Sequence, residues 1–272
     1  MGSAKRNKRS KKIKQSLITS VIVILLALAG YVYEEFFMQA NVPDHLEIPA
    51  MQVQRNQQVI EHTGYTVSYN HDWLIPNWVA YELTAQEVTG DLERSDKFLP
   101  DPKVKGDPVV TKDYSNSGYD RGHMCPAADM KWSEQAMKES FYMTNICPQN
   151  HNNNAGDWKD LEELGRNLAT KYGTLYICCG PIVTDTKTTI GTTRKIVVPQ
   201  AFYKVLLRQK ITGNWTAIGF VMPNQAGNKP LMTYMHSIDE VEQMTGIDFF
   251  PALPDSIENI IESDFTVSDW TL

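Results

Sequence analysis

The sequence predicts an α+β domain built on a largely antiparallel central sheet flanked by helices. Six short segments have the β-branched and aromatic composition of strands: 65–69, 78–84, 174–179, 195–198, 202–207 and 215–222. They occur in runs, and the helical segments are inserted between the runs instead of alternating with single strands. That order is typical of α+β domains, whereas strict alternation would predict a parallel sheet.

Three helices are expected among these strands. The clearest covers residues 154–172, where apolar residues recur at helical spacing and Gly173 follows as a C-terminal stop. Residues 133–143 and 238–244 predict two shorter helices. The stretch 94–108 is rich in Asp, Pro and Lys and is expected to form an ordered loop.

Composition divides the chain into five parts: a basic flank at 1–15, an apolar segment at 16–33, a linker at 34–60, a folded domain at 61–255 and an acidic tail at 256–272. The linker is assigned because it contains two prolines and shows no sustained periodicity. The tail is acidic and weakly patterned. The domain is long enough to bury a sizeable core.

A basic flank before an apolar run is typical of a membrane anchor or a secretory signal peptide, with the basic end inside. Residues 1–15 contain seven Lys and Arg and no acid. The run 17–33 is about long enough to span a bilayer, which favours an uncleaved anchor. The small residues at 27–29 would also permit cleavage of a signal peptide before Gly30. A buried helix of a cytosolic protein would leave the basic flank unexplained. We therefore expect the domain outside the cytoplasm, anchored to the membrane or secreted.

The charge of the chain excludes a broad basic surface for nucleic acid. The sequence has 26 Lys and Arg against 32 Asp and Glu, a net charge of −6. Seven of the basic residues lie in the first fifteen, so the remainder is more acidic still. A protein that holds DNA along a wide face is normally basic. Attraction to a polyanion would have to come from a local cleft, a metal ion and a few arginines.

Four cysteines, Cys125, Cys147, Cys178 and Cys179, allow either disulfides or buried free thiols. Cys178 and Cys179 are adjacent in a predicted strand, so their side chains point to opposite faces and make poor partners for each other. The sequence contains no CxxC pair, and a structural zinc site is not expected.

The string Asp120-Arg121-Gly122-His123 brings reactive groups together in one short segment. A lone histidine is more often structural than catalytic, but this setting favours chemistry. Gly122 allows a close backbone approach, and Arg121 can bind phosphate in a bidentate manner. A neutral imidazole can accept a proton from water, with Asp120 orienting it or pairing with an arginine. The string predicts a base that activates water against a phosphate ester.

A second group, Asn154, Trp158 and Glu162, occurs at helical spacing on one half of the predicted helix 154–172. Asn154 at the helix start could simply be its N-cap; its amide oxygen could instead ligate Mg²⁺, which takes few protein ligands and keeps several waters. Glu162 could be a solvated helix acid or could steady those waters. Trp158 is interpreted as a core residue.

These two groups and the stretch 145–149 (Asn-Ile-Cys-Pro-Gln) resemble the motifs of the DNA/RNA non-specific endonucleases, metal-dependent enzymes of the ββα-metal type. The spacings agree as well: Asn154 follows Asn145 by nine residues, and Glu162 follows Asn154 by eight. Weaker matches continue downstream, so the resemblance covers about residues 61–255. It implies that a ββα-metal motif lies within the α+β fold.

The resemblance implies roles for three residues of the reacting centre. His123 matches the general base of the family. Asn154 matches its direct protein ligand for Mg²⁺, with Mn²⁺ as the alternative ion. Glu162 matches the carboxylate that holds metal-bound water.

Three further residues are implicated around that centre. Asn145 is similar to an asparagine that supports the site, and Arg121 matches the motif arginine. Arg94 matches an upstream arginine that stabilises the phosphorane, although a simple surface charge would explain Arg94 equally well.

The expected function is hydrolysis of phosphodiester bonds in DNA and RNA without sequence preference, giving 5′-phosphate products as in the family. The substrates would be held through phosphate and sugar, not through base edges. One alternative is a nucleotide pyrophosphatase or small-molecule phosphodiesterase that uses the same residues. Another is a catalytically inactive nucleic-acid-binding module, which would predict loss of His123 or Asn154; both are present. The oligomeric state is not indicated by the sequence.

Overall fold

The structure, a computed structural model, describes residues 19–21, 23–25 and 42–270. Its strands are β1 (Ala50–Met51), β2 (Gln58–Glu61), β3 (Thr66–Asn70), β4 (Ile75–Thr84), β5 (Asp120–His123), β6 (Ile146–Gln149), β7 (Thr174–Ile182), β8 (Thr189–Ile190), β9 (Ile196–Val197), β10 (Ala201–Gln209), β11 (Trp215–Pro223), β12 (Met235–His236) and β13 (Ile247–Asp248). Its labelled helices are α1 (Ala85–Val88), α2 (Glu134–Ser140), α3 (His151–Ala155), α4 (Asp157–Tyr172), α5 (Ile238–Thr245) and α6 (Asp255–Ser263). Single 3₁₀ turns are interspersed among them.

A seven-stranded antiparallel sheet, in the order β12-β11-β10-β7-β4-β3-β2, is the centre of the unit that begins at His45. The inner strands β4, β7 and β10 are buried along most of their length. Near-continuous burial of this kind indicates that both faces of the sheet are covered. Helix α4 packs against β7, and α5 and α6 pack against β11. The predicted α+β class with a large antiparallel sheet is confirmed.

The predicted helix 154–172 is two helices, because the chain breaks at Gly156. Gly156 has φ −112° and ψ −113°, which is not helical, and a Cβ there would lie 2.5 Å from the Asn152 carbonyl oxygen. Helix α3 ends before this residue and α4 begins after it. Asn154 is therefore on a different helix from Trp158 and Glu162, and the expectation of one shared helix face is wrong.

Both predicted end segments contain regular structure. Strand β1 and most of β2 lie within residues 34–60, interpreted from sequence as a linker, and Leu46 is fully buried there. Helix α6 occupies part of the predicted tail, 256–272, and Trp270 beyond it is buried. These parts belong to the compact unit that begins at His45. Sequence periodicity missed them because two- and four-residue strands are too short to show a pattern.

The predicted apolar segment 16–33 is described only in part. Residues 19–21 and 23–25 are helical, and the rest of that segment lies outside the described residues, as does the basic flank 1–15. Among the residues that are described, no helix is both long and apolar enough to cross a bilayer.

The four cysteines are buried free thiols, which was one of the two alternatives. Burial raises the pKa of each of them, so they remain protonated at neutral pH. The Cys179 thiol donates to the carbonyl oxygens of Met124 (3.2 Å) and Val79 (3.6 Å), and so joins β7 to the loop after β5.

We predict that the C-terminal segment contributes substantially to stability. Trp270 is 1% exposed, and its ring lies 5.0 Å from the guanidinium of the buried Arg208. Trp270→Ala should lower the free energy of unfolding by about 3 kcal/mol or more, because it leaves a cavity beside a buried cation. Urea denaturation measures this change. The exposed Val267→Ala should alter it by less than about 0.5 kcal/mol, and a Trp270→Ala effect that small would mean the segment is dispensable.

Candidate active site

The site is built on a small hairpin outside the central sheet. Strands β5 and β6 pair antiparallel, with Asp120 opposite Gln149 and His123 opposite Ile146. A Cβ at Gly122 would lie 2.0 Å from the side-chain oxygen of Gln149, so only glycine allows this approach. Helices α3 and α4 follow β6 directly, which gives the ββα arrangement implied by the motifs.

Asn145 holds the chain where it leaves β5. Its Oδ1 accepts a hydrogen bond from the Cys125 amide, and its Nδ2 donates to the carbonyl oxygens of Cys125 and Ser140, each at 2.8 Å. The residue is completely buried. Asn145 therefore positions the turn behind His123 and does not line the cavity described next.

Five of the six residues singled out from the sequence line one open cavity of about 260 Å³: Arg94, Arg121, His123, Asn154 and Glu162. Lys159 and Arg166, both on α4, line it as well. The sequence reasoning missed these two. Arg166 stands four residues after Glu162, a spacing that places both on one helix face and could have drawn attention to it. Four cations thus converge on one cleft of an acidic chain.

His123 lies among aromatic rings. Its imidazole centroid is 4.9 Å from that of Phe141 and 5.3 Å from that of Phe98, and the residue is 8% exposed. Burial, then Arg94, lowers the pKa of His123 from 6.5 to about 3; Asp96 opposes this effect and Arg121 adds to it. The imidazole is therefore neutral at neutral pH. Its Nε2 is buried without a hydrogen-bond partner among the described residues.

Two of the three arginines of the cleft lie against the same rings that enclose His123. The Arg121 guanidinium lies 4.3 Å from the centroid of Phe98, and that of Arg94 lies 5.1 Å from the centroid of Phe141. Arg94 also pairs with Asp96 at 2.5 Å, and its side chain remains 53% exposed. Arg94 is thus a cavity residue at the solvent edge, where a guanidinium can exchange Asp96 for another anion.

Asn154 is oriented by Asp120. Its Nδ2 donates to Asp120 Oδ2 at 2.9 Å, so its oxygen is the atom that can ligate a metal. The ring of His151 contacts the same carboxylate oxygen at 2.9 Å. The cap of α3 is Asn150, which accepts from the amides of Asn152 and Asn153. Two sequence expectations are thereby corrected: Asn154 is not an N-cap, and Asp120 bonds Asn154 and His151 instead of His123 or an arginine.

Glu162 interacts electrostatically with several charged side chains. The pKa of Glu162 is raised to about 7 by burial; Lys204 lowers it, Asp129 raises it, and Arg166 lowers it again. Asp129 pairs with Arg166 at 2.9 Å. Lys204, 1% exposed, places its ammonium 4.7 Å from the Trp158 ring centroid. Neighbouring cations therefore offset part of the cost of burying the Glu162 carboxylate.

A second cavity, of about 320 Å³, shares Arg121 and Asn154 with the first and is also lined by Asp120. Its remaining lining is aromatic and hydroxylic: Phe98, Thr111, Tyr114, Ser115 and Tyr119. The two cavities together form one cleft on either side of Arg121 and Asn154. Such a lining suits a sugar or base beside a phosphate held by the cations.

Residues 43–256 match the family model of the DNA/RNA non-specific endonucleases. The chain belongs to this family. It is 39% identical over 210 residues to the mitochondrial nuclease EXOG of Danio rerio, a match that covers 71% of this chain and 60% of that protein. It is 35% identical over 210 residues to a nuclease of Nostoc sp., covering 73% of this chain and 75% of that one. The family predicted from the three motifs is confirmed.

Human mitochondrial endonuclease G is similar too, 30% identical over 207 residues, or 71% of this chain and 70% of that protein. A solved structure of an EndoG/EndoGI complex superposes with a TM-score of 0.68 and 29% identity, covering 74% of this chain and 89% of the matched one. The chain thus spans about 60% of the length of the EXOG relative and most of the endonuclease G fold. The sheet and hairpin described above are accordingly the endonuclease fold.

The depressed pKa of His123 predicts a measurable pH effect on stability. The unfolded histidine takes up a proton near pH 6.5, whereas the folded one does so only near pH 3. Stability should therefore fall as the pH is lowered through this window. From pH 7 to pH 5 the wild-type chain should lose about 2 kcal/mol more than His123→Ala. Urea unfolding at the two pH values tests this, and equal losses would show that His123 is not held neutral.

Proposed function

We propose that this chain is a metal-dependent endonuclease that hydrolyses phosphodiester bonds of DNA and RNA without sequence preference and leaves 5′-phosphates. The observation that carries the proposal is the single cleft that joins a buried neutral imidazole, an oriented amide oxygen, a half-buried carboxylate and four cations. Family membership supports the same reaction class. An acidic chain that concentrates cations in one cleft directs a polyanion to that cleft.

His123 is the proposed general base, which takes a proton from the attacking water. A pKa of about 3 makes the free imidazole a weak base. Part of that depression comes from Arg94 and Arg121. A bound phosphate would neutralise both guanidinium groups, and the imidazole would then become more basic. Substrate binding itself therefore adjusts His123 toward proton transfer.

Asn154 and Glu162 are the proposed metal-holding pair. An amide oxygen and a nearby carboxylate are hard oxygen donors, which fits Mg²⁺, or Mn²⁺ in its place. Asn154 would ligate the ion directly, and Glu162 would hold water bound to it. Such an ion would supply positive charge against the leaving oxygen. Asp120 keeps the amide oxygen available by holding the nitrogen.

Arg94 and Arg121 are proposed to bind the non-bridging phosphate oxygens and to stabilise the charge that develops on them. Lys159 and Arg166 add to the same field from α4. Contacts of this kind address phosphate and sugar, which DNA and RNA share apart from the 2′-hydroxyl. Because these contacts do not address base edges, we expect cleavage without sequence preference.

Export of the domain is proposed from the sequence. A basic flank at 1–15 followed by an apolar segment at 16–33 favours a domain outside the cytoplasm, anchored to a membrane or released by cleavage. The mature N-terminus decides between the two. A chain that starts at Gly30 would be a released protein, and one that retains the basic flank would be anchored.

The nuclease proposal predicts Mg²⁺-dependent cleavage of plasmid DNA and of RNA by the purified full chain. His123→Ala should lower the rate about 10²- to 10⁴-fold, the usual contribution of general-base catalysis. The matched control is His71→Ala, whose imidazole contacts Gln58 and does not line the cleft. EDTA should abolish cleavage. A folded wild-type chain that cleaves only nucleotides, or binds DNA without cleaving it, would overturn the proposal.

Asp120→Ala should weaken activation by Mg²⁺ about tenfold or more, because groups that orient a metal ligand typically contribute that much affinity. The rate at saturating Mg²⁺ should fall far less than the apparent affinity. Titration of cleavage rate against Mg²⁺ concentration separates the two effects. Asp160→Ala, at an exposed position of α4, is the matched control. An unchanged Mg²⁺ midpoint in Asp120→Ala would contradict the assignment of Asn154 as ligand.

A further inference from the structure

A cluster of five carboxylates lies in the C-terminal part of the domain, apart from the catalytic cleft. Helix α5 contributes Asp239 and Glu242, β13 contributes Asp248, and α6 contributes Glu258 and Glu262. The lining of the catalytic cleft includes none of these side chains. Three separate elements thus bring together carboxylates that have no role in the proposed nuclease mechanism.

The spacing of these carboxylates is that of a cation site. One oxygen each from Asp239, Glu242 and Glu262 lies within 4.8 Å of the others, and so does one oxygen each from Asp248, Glu258 and Glu262. Oxygens that ligate one ion at about 2.4 Å are at most about 4.8 Å apart. Glu262 belongs to both groups and is therefore the centre of the cluster.

Glu262 supplies an independent observation, because it is buried with an unused acceptor. The residue is only 7% exposed, and its Oε1 has no hydrogen-bond partner among the described residues. The Oε1 of Glu258 is likewise buried and unpartnered. A buried carboxylate oxygen without a partner is costly, and such groups normally mark a bound ion, a water or a proton.

No cation among residues 42–270 pairs with these carboxylates. Within residues 42–270, no ion pair includes any of the five carboxylates, and α5 and α6 have no basic residue in their last turns. The one hydrogen bond that steadies the cluster from the backbone runs from the Phe249 amide to Glu242 at 2.8 Å. Burial, then Glu242 and Glu258, raises the pKa of Glu262 to about 8. The anionic form of the cluster therefore requires a positive charge that residues 42–270 do not supply.

We propose that these five carboxylates form a Ca²⁺-binding site centred on Glu262. Ca²⁺ accepts six to eight oxygen ligands in irregular geometry, and several carboxylates from different elements suit that habit. Mg²⁺ demands near-ideal octahedral geometry and usually takes only one or two carboxylates, so it fits less well. Bound Ca²⁺ would fasten α6 to α5 and to β13, which itself pairs with β1. The site is structural and separate from the catalytic metal.

Thermal unfolding of the full chain tests the proposal. Saturating Ca²⁺ should raise the Tm of the EDTA-treated wild type by about 5 °C or more, since a ligand that binds only the folded state stabilises it. Glu262→Gln keeps the size of the side chain and removes its charge. That variant should lose the Ca²⁺-dependent shift. Glu258→Gln should reduce the Ca²⁺-dependent shift in Tm. This variant provides a second test if Glu262→Gln does not fold.

Two controls separate this site from the catalytic one. Asn154→Ala, which lacks the proposed catalytic metal ligand, should keep the full Ca²⁺ shift. Glu163→Gln, the same substitution at an exposed position of α4, should keep it too. Glu262→Gln should retain Mg²⁺-dependent cleavage, so a failed nuclease assay and a failed Ca²⁺ assay are distinct results.

An equal Ca²⁺ shift in wild type and Glu262→Gln overturns the proposal. So does the absence of a shift in wild type with a higher Tm in Glu262→Gln, which would show that the carboxylates share protons instead.

Discussion

The hydrogen bond from the indole of Trp158 to the carbonyl oxygen of His123, at 3.2 Å, fixes the geometry on which the site depends. It joins β5, which carries Arg121 and His123, to α4, which carries Glu162. The Trp158 ring is fully buried and packs against Phe202 of the central sheet, with ring centroids 5.7 Å apart. Trp158 thereby connects the small hairpin to the large sheet. A residue interpreted from sequence as core therefore also connects the strand that carries His123 to the helix that carries Glu162.

The apolar pattern of the sequence predicted the long strands and the amphipathic helix α4, because the buried positions of these elements recur at regular spacing. It could not find the break at Gly156, since that depends on the close approach of the Asn152 carbonyl oxygen, which no local pattern shows. The hydrogen-bond partners of Asp120 likewise depend on the fold and cannot be seen in a local sequence pattern. Motif spacing grouped His123, Asn154 and Glu162, which line one cavity. Only the fold shows that Asp120 holds Asn154 and that Asn145 lies behind the cavity. Lys159 and Arg166 were missed because charged residues on a helix are usually solvated.

The cleft concentrates positive charge at one place on an acidic chain. Arg94 and Arg121 lie over aromatic rings, which restrain the guanidinium groups and leave their N–H edges for an anion. The same rings exclude water from His123 and so depress its pKa. One packing arrangement thus positions the two guanidinium groups and keeps the imidazole neutral. Under the proposed function, phosphate bound to the two arginines would raise the basicity of the imidazole and so couple proton transfer to substrate binding.

Glu162 and Glu262 show how environment assigns different functions to the same side chain. Burial raises the pKa of each, to about 7 and about 8 respectively. Around Glu162 the cations Lys204, Arg166 and Arg94 lower the pKa, against burial and Asp129, which raise it. Around Glu262 the charged neighbours are other carboxylates. The first arrangement is compatible with the proposed binding of a polyanion, whereas the second favours a cation. The charge of the neighbours, and not burial alone, therefore distinguishes the proposed cleft for polyanions from the proposed Ca²⁺ site.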